Sequence, residues 1–258
     1  MNGDQPRARL GEPWEPPLKF EERLKALVPP AARIAYLHRK RLRKGEAELR
    51  LVAFLADRAR VSIDVGANQG VYAYALLPHS RQVHAFEPNP KLFRMLRAWA
   101  KARTGVVLHA EALGDVSGPA DLLVPMGGRG FSNQGASLSA VKVSGEHRKL
   151  TVQAARLDDL GIEGVGFIKI DVEGFELQVL AGAAATLARD RPNLLVEMEE
   201  RHTGRPLPQM VAAVTAHGYD ALALVDGVLT PFARLDLARH HGDPWSEHYV
   251  NNLIFLPR

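Results

Sequence analysis

The stretch from Val61 to Tyr72 constrains the fold of this chain more than any other part of the sequence. It begins with β-branched residues at alternate positions, whose side chains pack well in a buried strand. Gly66 and Gly70 follow, and they let the backbone turn sharply and let a ligand approach closely. Residues 71–77 then favour a helix, so the stretch predicts the strand, turn and helix of a nucleotide-binding α/β sheet.

The glycine turn also indicates which kind of nucleotide fits. Asn68 stands where a dinucleotide-binding turn has its middle glycine, and no Lys-Ser/Thr pair follows Gly70, which excludes a P-loop. An acid on the strand and a turn without a phosphate anchor favour a ligand with a cationic amino-acid part, such as S-adenosylmethionine. The residues expected to contact this donor in the first motif are Asp64, Gly66, Ala67, Asn68 and Gly70.

Two further strand ends predict contacts to the same ligand. Glu87 follows the strand Gln82–Phe86 about 20 residues after the glycine turn, where a carboxylate accepts hydrogen bonds from both ribose hydroxyls. Pro88 fixes the chain as it leaves this strand. The third strand, 105–110, leads into Glu111 and Ala112, which sheet order places beside the adenine.

A charged cluster is expected at the end of the strand Val165–Asp171. Alternation puts Lys169, Asp171 and Glu173 on one side of this strand. Charges at the end of a buried strand are costly unless they are paired or used, which indicates a functional site. Asp171 is expected to contact the donor, and Lys169 and Glu173 to take part in catalysis.

Four runs resemble the FkbM-type methyltransferases: Asp64–Gly70, His84–Pro90, Ile168–Glu176 and Tyr249–Leu256. The resemblance implies an α/β fold of the Rossmann-like class I methyltransferase type. Such a fold has a seven-stranded, mostly parallel sheet with one antiparallel strand and helices on both faces. It also implies S-adenosylmethionine as donor, S-adenosylhomocysteine as product, and an oxygen acceptor on a sugar, glycan or secondary metabolite.

The resemblance starts near Gly45, so the sequence predicts two parts. Residues 1–44 are expected to form a Pro-rich arm, with a short helix at Phe20–Leu27, and a basic helix, and residues 45–258 the methyltransferase domain. A flexible loop is expected at 126–145, between antiparallel strands at Ala120–Val124 and Leu150–Ala154. Its hydrogen-bonding residues suit a polyhydroxylated acceptor, namely Arg129, Ser132, Asn133, Gln134 and Ser137.

A hydroxyl acceptor is a weak nucleophile near pH 7 and needs a positioned base. His202 is the first candidate, because it follows the strand that ends at Glu197 and has a suitable intrinsic pKa. Glu173 or Asp171 is the alternative, with Lys169 lowering the pKa of the acceptor oxygen. Asp171, Glu173, Glu197 and His202 also have the chemistry of a divalent-cation site, but a metal is not favoured.

The whole chain bounds the remaining alternatives. Its 258 residues carry a net charge of +4 and contain no cysteine, which excludes thiolate catalysis and cysteine-bound zinc. No apolar run is long enough for a membrane span and no signal peptide is visible, so a cytoplasmic protein is expected. The basic run Arg39–Lys44 allows RNA methylation, but it lacks aromatic residues that stack bases, so a nucleic-acid partner is disfavoured. A nicotinamide dehydrogenase and a non-catalytic Rossmann-like domain remain as alternatives, and the sequence does not indicate the oligomeric state.

Overall fold

The computed structural model describes Pro16 and residues 28–101, 103–127, 130–131, 135–143 and 145–258. The expected helix Phe20–Leu27 lies outside the described residues, and so do Arg129, Ser132, Asn133 and Gln134 of the predicted loop. Among the helices that are described, none has the length and apolar character needed to cross a membrane.

An eight-stranded mixed sheet forms the centre of the described chain. Its strands are, in spatial order, β11 (Val228–Pro231), β10 (Tyr219–Val225), β12 (Asn252–Pro257), β9 (Asn193–Glu197), β8 (Val165–Ile170), β1 (Val61–Val65), β2 (Gln82–Phe86) and β3 (Val106–His109). β1 lies between β2 and β8 and is parallel to both. β12 is antiparallel to its neighbours β9 and β10. The mostly parallel sheet with an inserted antiparallel strand is confirmed.

The eighth strand, β11, is an addition to the seven expected from the sequence. Asp226 and Gly227 connect it to β10, with φ angles of 49° and 80°. Two left-handed residues in a two-residue turn match the twist of an antiparallel hairpin, and Asp-Gly is a sequence that adopts this turn. The sequence therefore carries a local signal for this hairpin.

Helices cover both faces of the sheet. They are α1 (Pro30–Lys44), α2 (Val52–Leu55), α3 (Val71–Leu76), α4 (Pro90–Ala100), α5 (Glu176–Ala181), α6 (Ala184–Asp190), α7 (Glu200–Thr203), α8 (Leu207–Thr215) and α9 (Leu237–His240). The Ala-rich segment 175–189 favours one continuous helix, but the structure divides it into α5 and α6. Gly182 lies there so close to the Gly114 carbonyl oxygen that a Cβ would come within 1.8 Å of it.

The apolar spacing of residues 46–58 also favours one helix, but the structure forms only a short helix there. Residues Ala47–Leu51 form a 3₁₀ turn before α2. The chain then leaves the helix at Ala56, and the Asp57 side chain accepts a hydrogen bond from the Ala59 N–H at 2.8 Å. This local bond gives the backbone an alternative to another helical turn.

The apolar core lies on both faces of β1, whose five residues are all buried. One face packs against α5, α6 and α8, and the other against α3 and α4. Ile34 of α1 is buried in the second cluster, while Arg39, Lys40 and Arg43 on the same helix are exposed. The expected basic helix is therefore present, and the domain boundary at residue 44 stays a prediction.

A second sheet lies beside the ends of the first. It contains β4 (Ala112–Leu113), β7 (His147–Ala155), β5 (Gly118–Gly127) and β6 (Gly130–Phe131). β5 and β7 are antiparallel, which confirms the predicted pair. Ser137 pairs with Leu123 of β5 through both backbone groups, so this part of the expected flexible loop is fixed near the strand ends of the main sheet.

Candidate functional site

A cavity of about 280 Å³, here called the central cavity, opens at the carboxyl ends of β1, β2 and β8. Ligands of open α/β sheets bind at this edge, and small-molecule pockets begin at roughly 300 Å³. The residues predicted to contact the donor that line it are Gly66, Asn68, Glu87, Pro88, Glu111, Ala112 and Asp171. Asp64 and Ala67 line a smaller adjoining space of about 30 Å³, here called the turn pocket. Gly70 lines neither the central cavity nor the turn pocket.

The glycine turn is held in a shape that few residues tolerate. Gly66, Asn68 and Gly70 have φ angles of 78°, 51° and 85°. A Cβ on Gly66 would come within 1.9 Å of the Asp171 carbonyl oxygen, so β1 and β8 approach as closely as their backbones allow. A Cβ on Gly70 would meet Leu96 at 2.5 Å. Gly66 therefore allows the close approach at the cavity wall, and Gly70 allows the packing of Leu96 from α4.

Asn68 carries a polar atom that the described protein leaves unsatisfied. Its Oδ1 is buried and has no hydrogen-bond partner among the described residues. Buried polar atoms are normally paired, and an orphaned one at the wall of a cavity indicates a ligand. Asn68 stands at the boundary of both the central cavity and the turn pocket.

Glu87 lies at the end of β2 with both carboxylate oxygens directed at the turn. One oxygen accepts the Asn68 N–H at 2.7 Å and the other accepts the Asn89 N–H at 2.9 Å. The side chain is 5% exposed, and this burial raises its pKa to about 7. Each oxygen retains a further acceptor position for a ligand hydroxyl.

Asp64 is buried behind the turn. Its Oδ2 accepts the Ala73 N–H at 2.9 Å, in the first turn of α3, and burial raises its pKa to about 7. The acid therefore ties β1 to the helix that follows it. Direct contact between Asp64 and a ligand stays a prediction.

An apolar wall closes the other side of the central cavity. Phe86 and Leu113 are buried there beside Ala112 of β4, and Glu111 stands at the edge. A flat apolar surface next to a polar turn suits a nucleobase beside a ribose. The predicted position of Glu111 and Ala112 next to the base is compatible with this wall and stays a prediction.

Lys169 is a buried cation at the end of β8. Its Nζ donates to Asn252 Oδ1 at 3.1 Å, lies 3.8 Å from Asp171 Oδ2, and is 5.2 Å from the centre of the Tyr72 ring. Burial alone would lower its pKa, but the neighbouring carboxylates, Asp171 first, outweigh burial and keep the pKa above its usual value. Lys169 therefore remains charged and lines the turn pocket.

Asp171 and Glu197 form a carboxyl pair at the ends of β8 and β9. Burial opposes ionisation of Asp171, but Lys169 and a hydrogen bond from Glu197 outweigh it and lower the Asp171 pKa. Burial and the charge of Asp171 raise the Glu197 pKa well above its usual range. Near pH 7 the pair therefore consists of an ionised Asp171 and a protonated Glu197, whose Oε1 also accepts the Asn251 Nδ2–H at 2.5 Å.

Glu173 completes a set of three carboxylates with this pair. One oxygen from each lies within 4.8 Å of the others, which is the donor chemistry that a hard divalent cation uses. The expectation that the protein needs no metal therefore stays a prediction.

His202 lies outside both cavities and is bound to other side chains. Its Nε2 is 2.5 Å from Lys142 Nζ, and its Nδ1 is 3.4 Å from Glu173 Oε2. Lys142 also lies 2.6 Å from the same Glu173 oxygen. Burial, and then the charge of Lys142, lower the His202 pKa to about 4, so the imidazole is neutral and accepts from the lysine. The role of His202 as base stays a prediction, and the three side chains form a closed triplet.

Four residues at or near the site were not predicted from the sequence, namely Arg41, Lys142, Asn251 and Asn252. Arg41 of α1 lines both the central cavity and the turn pocket and forms an ion pair with Glu46. Nothing in the basic run distinguishes Arg41 from its exposed neighbours. Asn251 and Asn252 lie in the closing run of the resemblance, which could have indicated them, whereas Lys142 stands in the low-complexity loop and carries no pattern.

Comparisons with known proteins relate the chain to one family. Residues 64–221, more than half of the chain, match the family model for the methyltransferase FkbM domain. The chain is 29% identical over 197 residues to the 31-O-demethyl-FK506 methyltransferase FkbM of Streptomyces tacrolimicus, covering 64% of this chain and 75% of that protein. It is 30% identical over 150 residues to the hexuronic acid methyltransferase AglP of Haloferax volcanii, covering 56% and 59%.

A third relative and one solved structure extend this comparison. The chain is 27% identical over 157 residues to the 2-O-methyltransferase NoeI of Sinorhizobium fredii, covering 55% of this chain and 64% of that protein. It therefore spans less than two thirds of the length of AglP and NoeI. A crystal structure of methyltransferase FkbM from Methylobacillus flagellatus is 18% identical, with a TM-score of 0.49, covering 77% of this chain and 44% of that one.

Proposed function

The chain belongs to the FkbM family of S-adenosylmethionine-dependent methyltransferases, and we propose that it methylates a hydroxyl group of a sugar, glycan or secondary metabolite. The observation that carries this proposal is the central cavity, which has a buried Glu87 at one end and the Asp171–Glu197 pair at the other. Two relatives support an oxygen acceptor, because their names specify 31-O and 2-O methylation. The third is named for a hexuronic acid.

The residues of the central cavity fit the donor. Glu87 would accept hydrogen bonds from the ribose hydroxyls, and Asn68 Oδ1 would gain the partner that it lacks among the described residues. Arg41 would bind the carboxylate of the methionine part, because a guanidinium has paired donors that match a carboxylate. Leu113 and Phe86 would cover the adenine.

Asp171 is the group that we propose as general base. It is ionised near neutral pH, and its side chain is 32% exposed, toward the central cavity. Lys169 stabilises its charge from the buried side, and Glu197 donates a hydrogen bond to it. This arrangement keeps one carboxylate free to accept the proton of an acceptor hydroxyl, whereas the carboxylate of Glu173 is bound to Lys142.

The residues of this chain orient the reaction. When bound, the donor would supply an electrophilic methyl group on a sulfonium, and its transfer would form an O–C bond as the S–C bond breaks, with the electron pair left on sulfur. The hydroxyl proton moves to Asp171 Oδ, and from there to solvent. Most of the acceleration comes from holding the acceptor oxygen in line with the methyl group.

Binding and transfer assays test this proposal. Calorimetric titration with S-adenosylmethionine, S-adenosylhomocysteine and NAD should show affinity for the two sulfur ligands and none for NAD. Transfer of an isotopically labelled methyl group to a panel of glycosides and hydroxylated metabolites should yield ether products. NAD binding without sulfur-ligand binding, or methylation of RNA in preference to every hydroxylated small molecule, would overturn the proposal.

A further inference from the structure

A second cavity of about 440 Å³, here called the side cavity, adjoins the central cavity. It lies between the segment before α2, the Asp226–Gly227 turn that joins β10 to β11, and the segment before β12. Neither the family match nor the relatives assign it a role. The turn of the β10–β11 hairpin forms part of its wall.

The side cavity meets the central cavity at the proposed base. Glu46, Asp171 and Glu197 line both spaces. A molecule in the side cavity would therefore approach Asp171 from the side opposite the ribose-binding end. Since the donor fills the central cavity under the proposed function, on which this inference rests, the side cavity is where the acceptor has room.

The lining of the side cavity is strongly acidic. Its carboxyl groups come from Glu46, Glu48, Asp171, Glu197, Asp226 and Glu247, and none of its lining residues in the described chain is Lys, Arg or His. Glu197 is protonated and adds no charge, and burial raises the pKa of Glu48, so the negative charge rests mainly on the other acids. The nearest cations lie outside this lining: Arg41 borders the central cavity and the turn pocket and pairs with Glu46, and Lys169 borders the turn pocket and pairs with Asp171. The field in this space therefore repels anions.

The remaining polar groups also favour a ligand that donates hydrogen bonds. Asn251 donates to Glu197 at 2.5 Å, the amide oxygen of Asn252 accepts from Lys169 at 3.1 Å, and the Tyr249 hydroxyl donates to Glu199 at 2.8 Å. These donors of the protein are thus used internally, while Glu48, Asp226 and Glu247 add carboxyl groups, which accept hydrogen bonds, to the lining. Hydroxyl and ammonium groups complement such a surface.

We infer that the side cavity is the acceptor site and that it binds a polyhydroxylated unit that is neutral or amino-substituted, excluding uronic acids and sugar phosphates. This assigns to the chain a selectivity opposite to that required for a hexuronic acid. The acids that would give this selectivity lie outside the matched residues 64–221. Glu46 and Glu48 precede them in the sequence, and Asp226 and Glu247 follow them.

A single introduced cysteine tests the charge of the cavity, because the chain has none of its own. Ala47→Cys places a thiol in the wall of the side cavity, and Ala213→Cys on the exposed surface of α8 is the matched control. The rates of modification by a cationic and an anionic methanethiosulfonate reagent are compared at each thiol. The cation-to-anion ratio is expected to be about tenfold or more higher at Ala47→Cys, with S-adenosylhomocysteine bound.

Neutralising the wall should abolish this preference. Glu48→Gln, Asp226→Asn and Glu247→Gln together, in the Ala47→Cys background, should bring the ratio to within about twofold of the control. The corresponding change at Asp220, at the other end of β10, should leave the ratio unaltered. Equal ratios at the two thiols would overturn the inference.

Matched acceptors test the selectivity itself. Neutral and amino glycosides should be methylated with a kcat/KM at least about tenfold above that of the corresponding glucuronides. A glucuronide that is the better substrate overturns this inference and leaves the proposed function intact. Calorimetric binding of S-adenosylhomocysteine without methyl transfer to any hydroxyl overturns the proposed function, and the acceptor assignment with it.

Discussion

Two groups of charged side chains lie at the ends of β8 and β9, and they differ in what they face. The pair Asp171–Glu197 borders both the central and the side cavity. In the triplet of Glu173, Lys142 and His202, Glu173 also borders the central cavity, but Lys142 lies within 2.6 Å of both partners. The pair leaves a carboxylate available to a ligand, whereas the triplet uses its charges to satisfy one another.

The difference follows from the partner that each acid meets. Asp171 shares a proton with another acid, so one carboxylate remains ionised and accessible beside the cavities. Glu173 meets an ammonium group, which occupies its oxygen and fixes the loop that carries Lys142. Ser137 and Ser139 strengthen the same attachment by donating to the carbonyl oxygens of Glu173 and His202. The pair is therefore suited to chemistry and the triplet to holding the loop over the strand ends.

The sharpest test of this comparison is Asp171→Asn. Removal of the base should lower turnover by about 10² to 10⁴-fold, while the affinity for neutral S-adenosylhomocysteine changes by less than about threefold. Steady-state methyl transfer and calorimetry measure the two quantities. Asp121→Asn is the control, because this acid pairs with Lys149 on the second sheet, at 3.0 Å, away from both cavities. Turnover close to that of the wild type would show that the pair is not the base.

The next effect is expected at the ribose end of the central cavity. Glu87→Ala should weaken S-adenosylhomocysteine binding by roughly 1–3 kcal/mol, or about 5- to 150-fold in Kd, because charge-assisted hydrogen bonds are lost. Glu111→Ala, at the edge of the same cavity, should have a smaller effect. Unchanged affinity in Glu87→Ala would refute the ribose assignment.

Donor binding should depend on pH through the same residue. The pKa of Glu87 is raised to about 7 by burial, with smaller contributions from Asp64 and Asp171, so the carboxylate is ionised above pH 7 and protonated below it. Affinity should be full near pH 8 and fall by roughly tenfold at pH 6, since a protonated carboxyl accepts fewer hydrogen bonds.

Calorimetric titrations of S-adenosylhomocysteine across pH 6–8 check this slope. Glu87→Gln should bind more weakly and show little pH dependence. Asp64→Asn separates the two acids, because the Asp64 pKa is also raised to about 7. A slope that survives in Glu87→Gln and vanishes in Asp64→Asn would assign the titration to Asp64.

The smallest effect on turnover is expected in the triplet. His202→Gln should lower the free energy of unfolding by about 1–2 kcal/mol, because the hydrogen bond that His202 accepts from Lys142 and the contact with Glu173 are lost. Turnover should fall by less than about tenfold, because His202 positions a loop and does not accept the proton of the acceptor. Urea denaturation and methyl-transfer rates measure the two effects. A loss of turnover as large as that of Asp171→Asn, with unchanged stability, would make His202 the base.

Much of the site could be read from local sequence because its backbone requirements are local. The glycine turn, the acid at the end of β2 and the charged end of β8 follow from strand periodicity and from the residues that a tight turn tolerates. The antiparallel pair β5–β7 was predictable for the same reason. The broken helix at Gly182 was not, because its cause is contact with Gly114, 68 positions earlier in the chain.

The sequence by itself determined seven strands of the main sheet, the family and the glycine turn, because these depend on periodicity and on short motifs. Tertiary structure decided the rest, because partners distant in sequence set the state of each charged group. It brought Glu197 to Asp171 and Lys142 to His202, and it placed Arg41 of α1 at the glycine turn. The turn that begins at Gly66 can be recognised in the sequence. The acids Glu46, Asp171 and Glu197 are far apart in the sequence and line the same two cavities only in the folded chain.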